Sequence, residues 1–141
     1  EERLVVVGWR WQADREVIAL TRFVPEGSVD ESFGSGGLVM TALGGDTDRV
    51  MGVAIDGLGR IVVAGHTIHG ADEDHVILRY LPDGALDETF ADGGVARLSL
   101  HTSAGAESLR GLAFDSLGRI LASGWTWNGT DLDVAVIRLC P

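Results

Sequence analysis

The chain has 141 residues, 21 acidic against 11 basic side chains for a net charge of −10, 20 glycines and 45% hydrophobic residues. That length supports a single core with about 7,000 Å² left accessible, and the composition is too apolar for a disordered tail and too charged for a membrane span. An acidic chain with no basic cluster is set against nucleic acid or anionic lipid as a partner and against membrane insertion.

Taken in chain order, Glu1-Glu2-Arg3 runs straight into Leu4-Val5-Val6-Val7, a strand already under way with no leader pattern before it. Beyond Pro25-Glu26-Gly27 a long connection closes on Gly36-Gly37. Strands are expected near Val50–Ile55, from Ile61 to about Ile68, which is rich in β-branched residues, near Val76–Leu81 and from Val95 to Leu100. Asp56-Gly57 with Gly59, and Ser116 with Gly118, bracket hairpins, and Asn128-Gly129 reads as a type I′ turn. A single helical turn capped by Asp87 fits Leu86–Phe90; no longer stretch has a helical period. A last strand, Val134–Leu139, stops at Pro141, and both ends read as cuts through a longer chain. Cys140, the single cysteine, permits no intramolecular disulfide and no cysteine metal site.

The chain is repetitive. Arg3-Leu4-Val5-Val6-Val7-Gly8-Trp9 aligns with Arg60 through Gly65-His66 and with Arg119 through Gly124-Trp125. The three glycines stand 57 and then 59 residues apart. The same offset carries Arg22 and the segment to Asp30-Glu31-Ser32-Phe33 onto Arg79 and the segment to Asp87-Glu88-Thr89-Phe90, and Arg138 continues the series. Four short strands per unit at a fixed period favour an all-β fold, a β-propeller fragment of four-stranded antiparallel blades, over a β-solenoid. Residues 1–141 then form one partial propeller region of about ten strands, with units of roughly 1–48 (partial), 49–107 (complete) and 108–141 (partial).

Asp-Gly-Leu-Gly-Arg-Ile-Val-Val-Ala-Gly at 56–65, followed by Leu-Arg-Tyr-Leu-Pro-Asp-Gly-Ala-Leu-Asp-Glu-Thr-Phe-Ala-Asp-Gly-Gly at 78–94, resembles the delta-60 repeat. The resemblance spans essentially the whole chain. It departs at Ala91, which stands where the preceding unit has Gly34, and in a linker over 99–108 longer by two residues. It implies a bacterial β-propeller of unknown function, a secreted or cell-surface setting and no catalytic residues.

Several residue sets could carry chemistry. Gly34-Ser35-Gly36-Gly37 lacks the lysine of a phosphate loop and reads as a turn. Asp14 and Glu16, Asp72, Glu73 and Asp74, and Asp131 and Asp133 fall in equivalent loops whose oxygens could take calcium. They lack the Asp-x-Asp-x-Asp-Gly spacing of a calcium loop and read as solvated hairpin tips, so no cofactor is expected. Trp9 and Trp11, like Trp125 and Trp127, lie on one side of a strand. Trp9 and Trp125 are candidates for stacking on a sugar; wedging between blades is the competing role, favoured for Trp11 and Trp127 because Ile68 takes their place in the middle unit. His66, His69 and His75 gather in one hairpin, with His101 beyond it. No Gly-x-Ser-x-Gly elbow appears, and catalysis is not expected. The repeated arginines are expected to pair with Asp30 or Asp87, or with Asp56 and Asp115, as structural ties. The expected function is a non-catalytic repeat scaffold or binding module partnered by other blades of its own chain and by a protein or glycan ligand. The alternatives are a carbohydrate-recognition propeller and a propeller hydrolase or lyase with channel-lining carboxylates.

Overall fold

The computed structural model describes residues 3–100 and 106–140, with an accessible surface of 7442 Å². Ten strands follow one another: β1 (Leu4–Gln12), β2 (Arg15–Phe23), β3 (Leu38–Thr41), β4 (Thr47–Ile55), β5 (Ile61–His69), β6 (Asp72–Tyr80), β7 (Val95–Leu98), β8 (Glu107–Phe114), β9 (Ile120–Trp127) and β10 (Leu132–Leu139). There is no helix among the described residues.

The complete unit is an antiparallel meander, β4-β5-β6-β7. Before it lie β1-β2-β3, equivalent to the last three strands of that meander, and after it β8-β9-β10, equivalent to its first three. One parallel pairing, Glu16 with Thr47, joins the first blade to the second, so seven strands form one sheet and β10-β9-β8 a separate one.

Strand alternation explains how the blades stack. On β5, Ile61 and Val63 point one way and Val62 and Ala64 the other. The first pair joins Val76, Leu78 and Tyr80 in a core with Ile18, Leu20 and Phe33 of the first blade. The second joins Ile77 and Ala96 in a core with Leu109, Ile120, Ala122 and Ile137 of the third. The middle blade is buried on both faces, which is why β5 and β6 read as nearly continuous apolar runs. The outer blades each leave one face open, with Leu4 and Val6 exposed on the first and Val134 and Val136 on the third.

Strand ends shift by two or three residues, with β4 and β10 beginning at Thr47 and Leu132 and β7 ending at Leu98, and local structure departs further from expectation in three places. β6 begins at Asp72, well before Val76, because the ladder continues to a hairpin tip in which His69 pairs with Asp72. Leu86–Phe90 is a turn and not a helical turn. The Asp87 carboxylate accepts from the Thr89 N–H at 3.1 Å and hydroxyl at 2.6 Å, and Tyr80 bridges to Leu86. Asn128-Gly129 does not form a type I′ turn, since Gly129 (φ 98°) but not Asn128 has positive φ. Instead the Asn128 side-chain oxygen accepts from the Thr130 and Asp131 N–H groups, closing a four-residue loop.

Candidate functional site

Polar side chains collect at the two ends of the blades, and the ends differ in character. At one end the strand-three arginines build a repeated cluster. Arg22 Nε donates to Asp30 at 2.8 Å, its guanidinium lies 4.6 Å from the Phe33 ring centre, and Nη2 reaches the Ser32 hydroxyl. Arg79 repeats each contact, with Asp87 at 2.7 Å, Phe90 at 4.7 Å and Thr89 at 3.3 Å. Arg22 also donates through Nη1 to the Pro82 carbonyl of the next blade. The equivalent Nη1 of Arg79 is buried without a partner. Arg60 and Arg119 bind Asp56 and Asp115, each at 2.6 Å, across their hairpins. Both expected sets of arginine–aspartate ties are therefore present. Ser32 and Thr89 hydrogen bonds are the first cause that holds Asp30 and Asp87 below the usual carboxylate range, against burial and with help from the arginines. Arg138, in the same series, is exposed.

At the opposite end, the second strands finish and the first strands begin. Between the first and second blades, Glu16 binds Arg49 in a fork, at 2.5 and 2.8 Å, and the Arg49 guanidinium lies 4.9 Å from the Trp9 ring centre. Trp9 thus meets the neighbouring blade yet remains 42% exposed. Trp11, expected to pack between blades, is instead 64% exposed at the end of β1, while Trp127 is half-buried. Trp125 is half-buried with Arg110 stacked at 4.3 Å. One face of each candidate sugar-stacking ring is already taken by a guanidinium.

Between the second and third blades the same positions carry different residues. His66, Glu73 and Ser108 replace Trp9, Glu16 and Arg49, while His75 replaces Ile18 and Glu107 replaces Asp48. His66 Nδ1 lies 3.0 Å from Ser108 Oγ and 3.6 Å from a Glu73 oxygen. Serine, histidine and glutamate are together, but both partners address one imidazole nitrogen, whereas a relay needs them on opposite nitrogens. Ser108 is only 1% exposed. Burial, followed by Arg49 and Arg110, pushes His66 down to about 4, so the ring is neutral near pH 7. Burial raises Glu73, against a backbone hydrogen bond from Glu107 that lowers it. His75 is wholly buried with neither ring nitrogen hydrogen-bonded, its Nε2 3.7 Å from Glu107. Burial also lowers its pKa.

The remaining candidates do not converge. His69 lies on the hairpin tip, and His101 lies outside the described residues. Among the described residues no group of three or more His, Cys, Asp or Glu is disposed to hold a metal ion, and the three acidic loops do not gather into one. In the third loop Asn128 donates to Asp131 and Asp133, which occupies those oxygens. Gly34-Ser35-Gly36-Gly37 is a turn, with Ser35 bridging to Leu38. A groove of about 760 Å³ lined by Arg3, Leu4, Val6, Phe23, Pro25 and Gly27 lies beside the open face of the first blade, away from the tryptophans. In the second blade the matching surface, at Gly84, is covered by Phe33 and Val39 of the first.

The histidine–glutamate–serine seam was not expected. Its signal lay in the offset itself, which places His66 on Trp9 and Ser108 on Arg49. Residues 3–33 and 59–90 match the family model described as a domain of unknown function (DUF5122) beta-propeller. No curated protein matches the chain.

Proposed function

Residues 3–33 and 59–90 are repeats of the DUF5122 beta-propeller family, whose function is unknown, and on that premise we propose that the chain is a non-catalytic repeat scaffold that presents its hairpin tips for binding. One observation carries this proposal: the repeated polar residues are engaged in holding blades. Arg22 and Arg79, with Asp30, Asp87, Phe33 and Phe90, tie strand three to the connection that follows it. Glu16 and Arg49 tie one blade to the next. The seam that most resembles catalytic machinery is buried and wrongly disposed for proton relay. The partners of the scaffold are further blades of the same kind, and its setting is a secreted or cell-surface bacterial protein, in keeping with the delta-60 resemblance.

Carbohydrate recognition is the second reading. The exposure of Trp9 and Trp11 on one strand favours it, because an open indole face can stack on a sugar ring. A glycan array together with a panel of ester, peptide and glycoside substrates tests both. The scaffold reading expects no turnover and no glycan signal. Turnover lost in Ser108→Ala or His66→Ala would overturn it, and a glycan signal lost in Trp9→Ala and Trp11→Ala would establish the second reading.

A further inference from the structure

We infer that the seam between the second and third blades is an acid-operated joint, in which protons taken up by His66 and His75 part those two blades while the first and second stay together. This inference goes beyond the scaffold proposal and holds whatever the hairpin tips bind. Both seams lie inside the chain, each with a blade on either side.

At the first seam Glu16 is forked on Arg49, whose hydrogen bond holds the carboxyl below its usual range, and Ile18 is wholly buried in the apolar core. At the second, Ser108 stands where Arg49 does, so Glu73 lacks that fork, and His75 stands where Ile18 does. Glu107 keeps the task of Asp48. Each accepts a backbone N–H from the linker before it, Leu43 or Leu100, and a threonine hydroxyl, Thr67 or Thr126. The Glu107 carboxylate is therefore already engaged where it passes 3.7 Å from His75 Nε2. A buried imidazole with both nitrogens unbonded costs stability that an isoleucine does not. What a histidine adds at that place is a proton site, sealed for as long as the blades stay together.

The groups facing the two rings favour opening once the rings are charged. His66 meets Arg49 from β4, Glu73 and His75 from β6, and Ser108 and Arg110 from β8, with Glu16 behind Arg49. His75 meets His66 from β5, Leu98 from β7 and Glu107 from β8, with Asp74 beside it. Burial first, then Arg49 and Arg110, keeps protons off His66, and burial keeps them off His75. Parting the blades admits water to both rings and takes Arg110 away from His66. The open form then binds protons that the closed form refuses. A fall in pH through the histidine range therefore favours opening, by up to about tenfold per pH unit for each histidine. Glu73, raised in the closed form, works in the opposite sense. The first seam presents Trp9 and Ile18 at the matching positions and has no such response.

The test labels buried thiols in the whole chain, with Cys140→Ser removing the exposed native one. Val63 and Ala64 are neighbours on β5, wholly buried in the first and second seams respectively, so Val63→Cys and Ala64→Cys report the two seams from one strand. Dithiodipyridine reacts with thiols even in acid, and each rate is divided by that of the urea-unfolded chain at the same pH. Between pH 7 and pH 4.5 the rate for Ala64→Cys should rise at least about tenfold, and that for Val63→Cys by less than about threefold. His66→Gln combined with His75→Ile should abolish the rise. Ala122→Cys, buried on the other side of the second seam, replaces Ala64→Cys if that chain fails to fold. His75→Ile alone, which installs the residue of the first seam, should reduce the rise if the combined variant fails. A rise confined to the second seam and removed or reduced by the histidine substitutions upholds the joint. No rise, an equal rise at both seams, or a rise that survives the substitutions unchanged overturns it.

Discussion

Gly34 and Ala91 occupy one position in successive blades, and the exchange has a counterpart five residues on. A Cβ on Gly34 would stand 2.5 Å from Val39 Cγ2 and 2.5 Å from the Leu38 carbonyl oxygen. In the second blade the Cβ is present, on Ala91 at φ 48°, and the position of Val39 is taken by Ala96. The smaller residue at 96 makes room for the larger one at 91. Ala96→Val therefore returns the valine methyls toward the Ala91 Cβ, and overpacking of this kind costs about 1–3 kcal/mol. Ala91→Gly relieves an alanine held at positive φ, worth about 1 kcal/mol, but loses part of that to the freer unfolded chain. Alone it should change stability by less than about 1 kcal/mol. Together the two substitutions rebuild the pair of the first blade, and the double variant should be about as stable as the parent chain. Urea unfolding of the four proteins, at constant m-value, measures the coupling, expected to favour the double variant by about 1–2 kcal/mol. Additivity within about 0.3 kcal/mol would refute the compensation.

Arg79→Ala should cost about 2–4 kcal/mol in urea unfolding, because it strands the buried Asp87 carboxylate and uncovers Phe90, whereas the exposed Arg138→Ala should cost less than about 0.5 kcal/mol. Gly65→Ala and Gly124→Ala, which drive a Cβ into a neighbouring carbonyl, should each lower the melting temperature sharply, and Gly8→Ala should leave it unchanged or raise it slightly. His66 titrates near 4 in the folded chain against an ordinary 6.5, so the unfolded chain binds its proton first. The stability that His66 lends is complete above about pH 6.5 and is lost as pH falls toward 4, on the order of 2–3 kcal/mol. Glu73, raised in the folded chain, works in the opposite sense and stabilises as pH falls. Chemical unfolding at pH 7 and pH 4.5 should show the loss in the parent chain and a smaller one in His66→Gln.

The fold was largely legible because its signals are local or periodic. The offset aligning Gly8, Gly65 and Gly124 locates the blades, and β-branched runs between Gly-containing turns locate β5 and β9. The arginine–aspartate pairs were legible because each partner lies within the same unit, as Arg79 and Asp87 do. The beginning of β6 was not, since Asp72, Glu73 and Asp74 have loop composition and are held in the ladder by the pairing of His69 with Asp72. The expected helical turn failed because an aspartate followed two residues on by threonine caps a turn as readily as a helix, and Tyr80 bridging to Leu86 keeps that segment extended. The seam of His66, Glu73 and Ser108 depends on which faces of two blades meet. Strand alternation leaves that open until the stacking order is known.

Residue-level native-state hydrogen exchange tests the stacking of three blades most directly. Its amides are predicted to exchange slowest on β5 and β6, which are buried on both faces, and faster on β1 and β10, which each have one open face. Protection of β1 or β10 equal to that of β5 in the monomeric chain would contradict the stacked-blade account, because no blade would then be central.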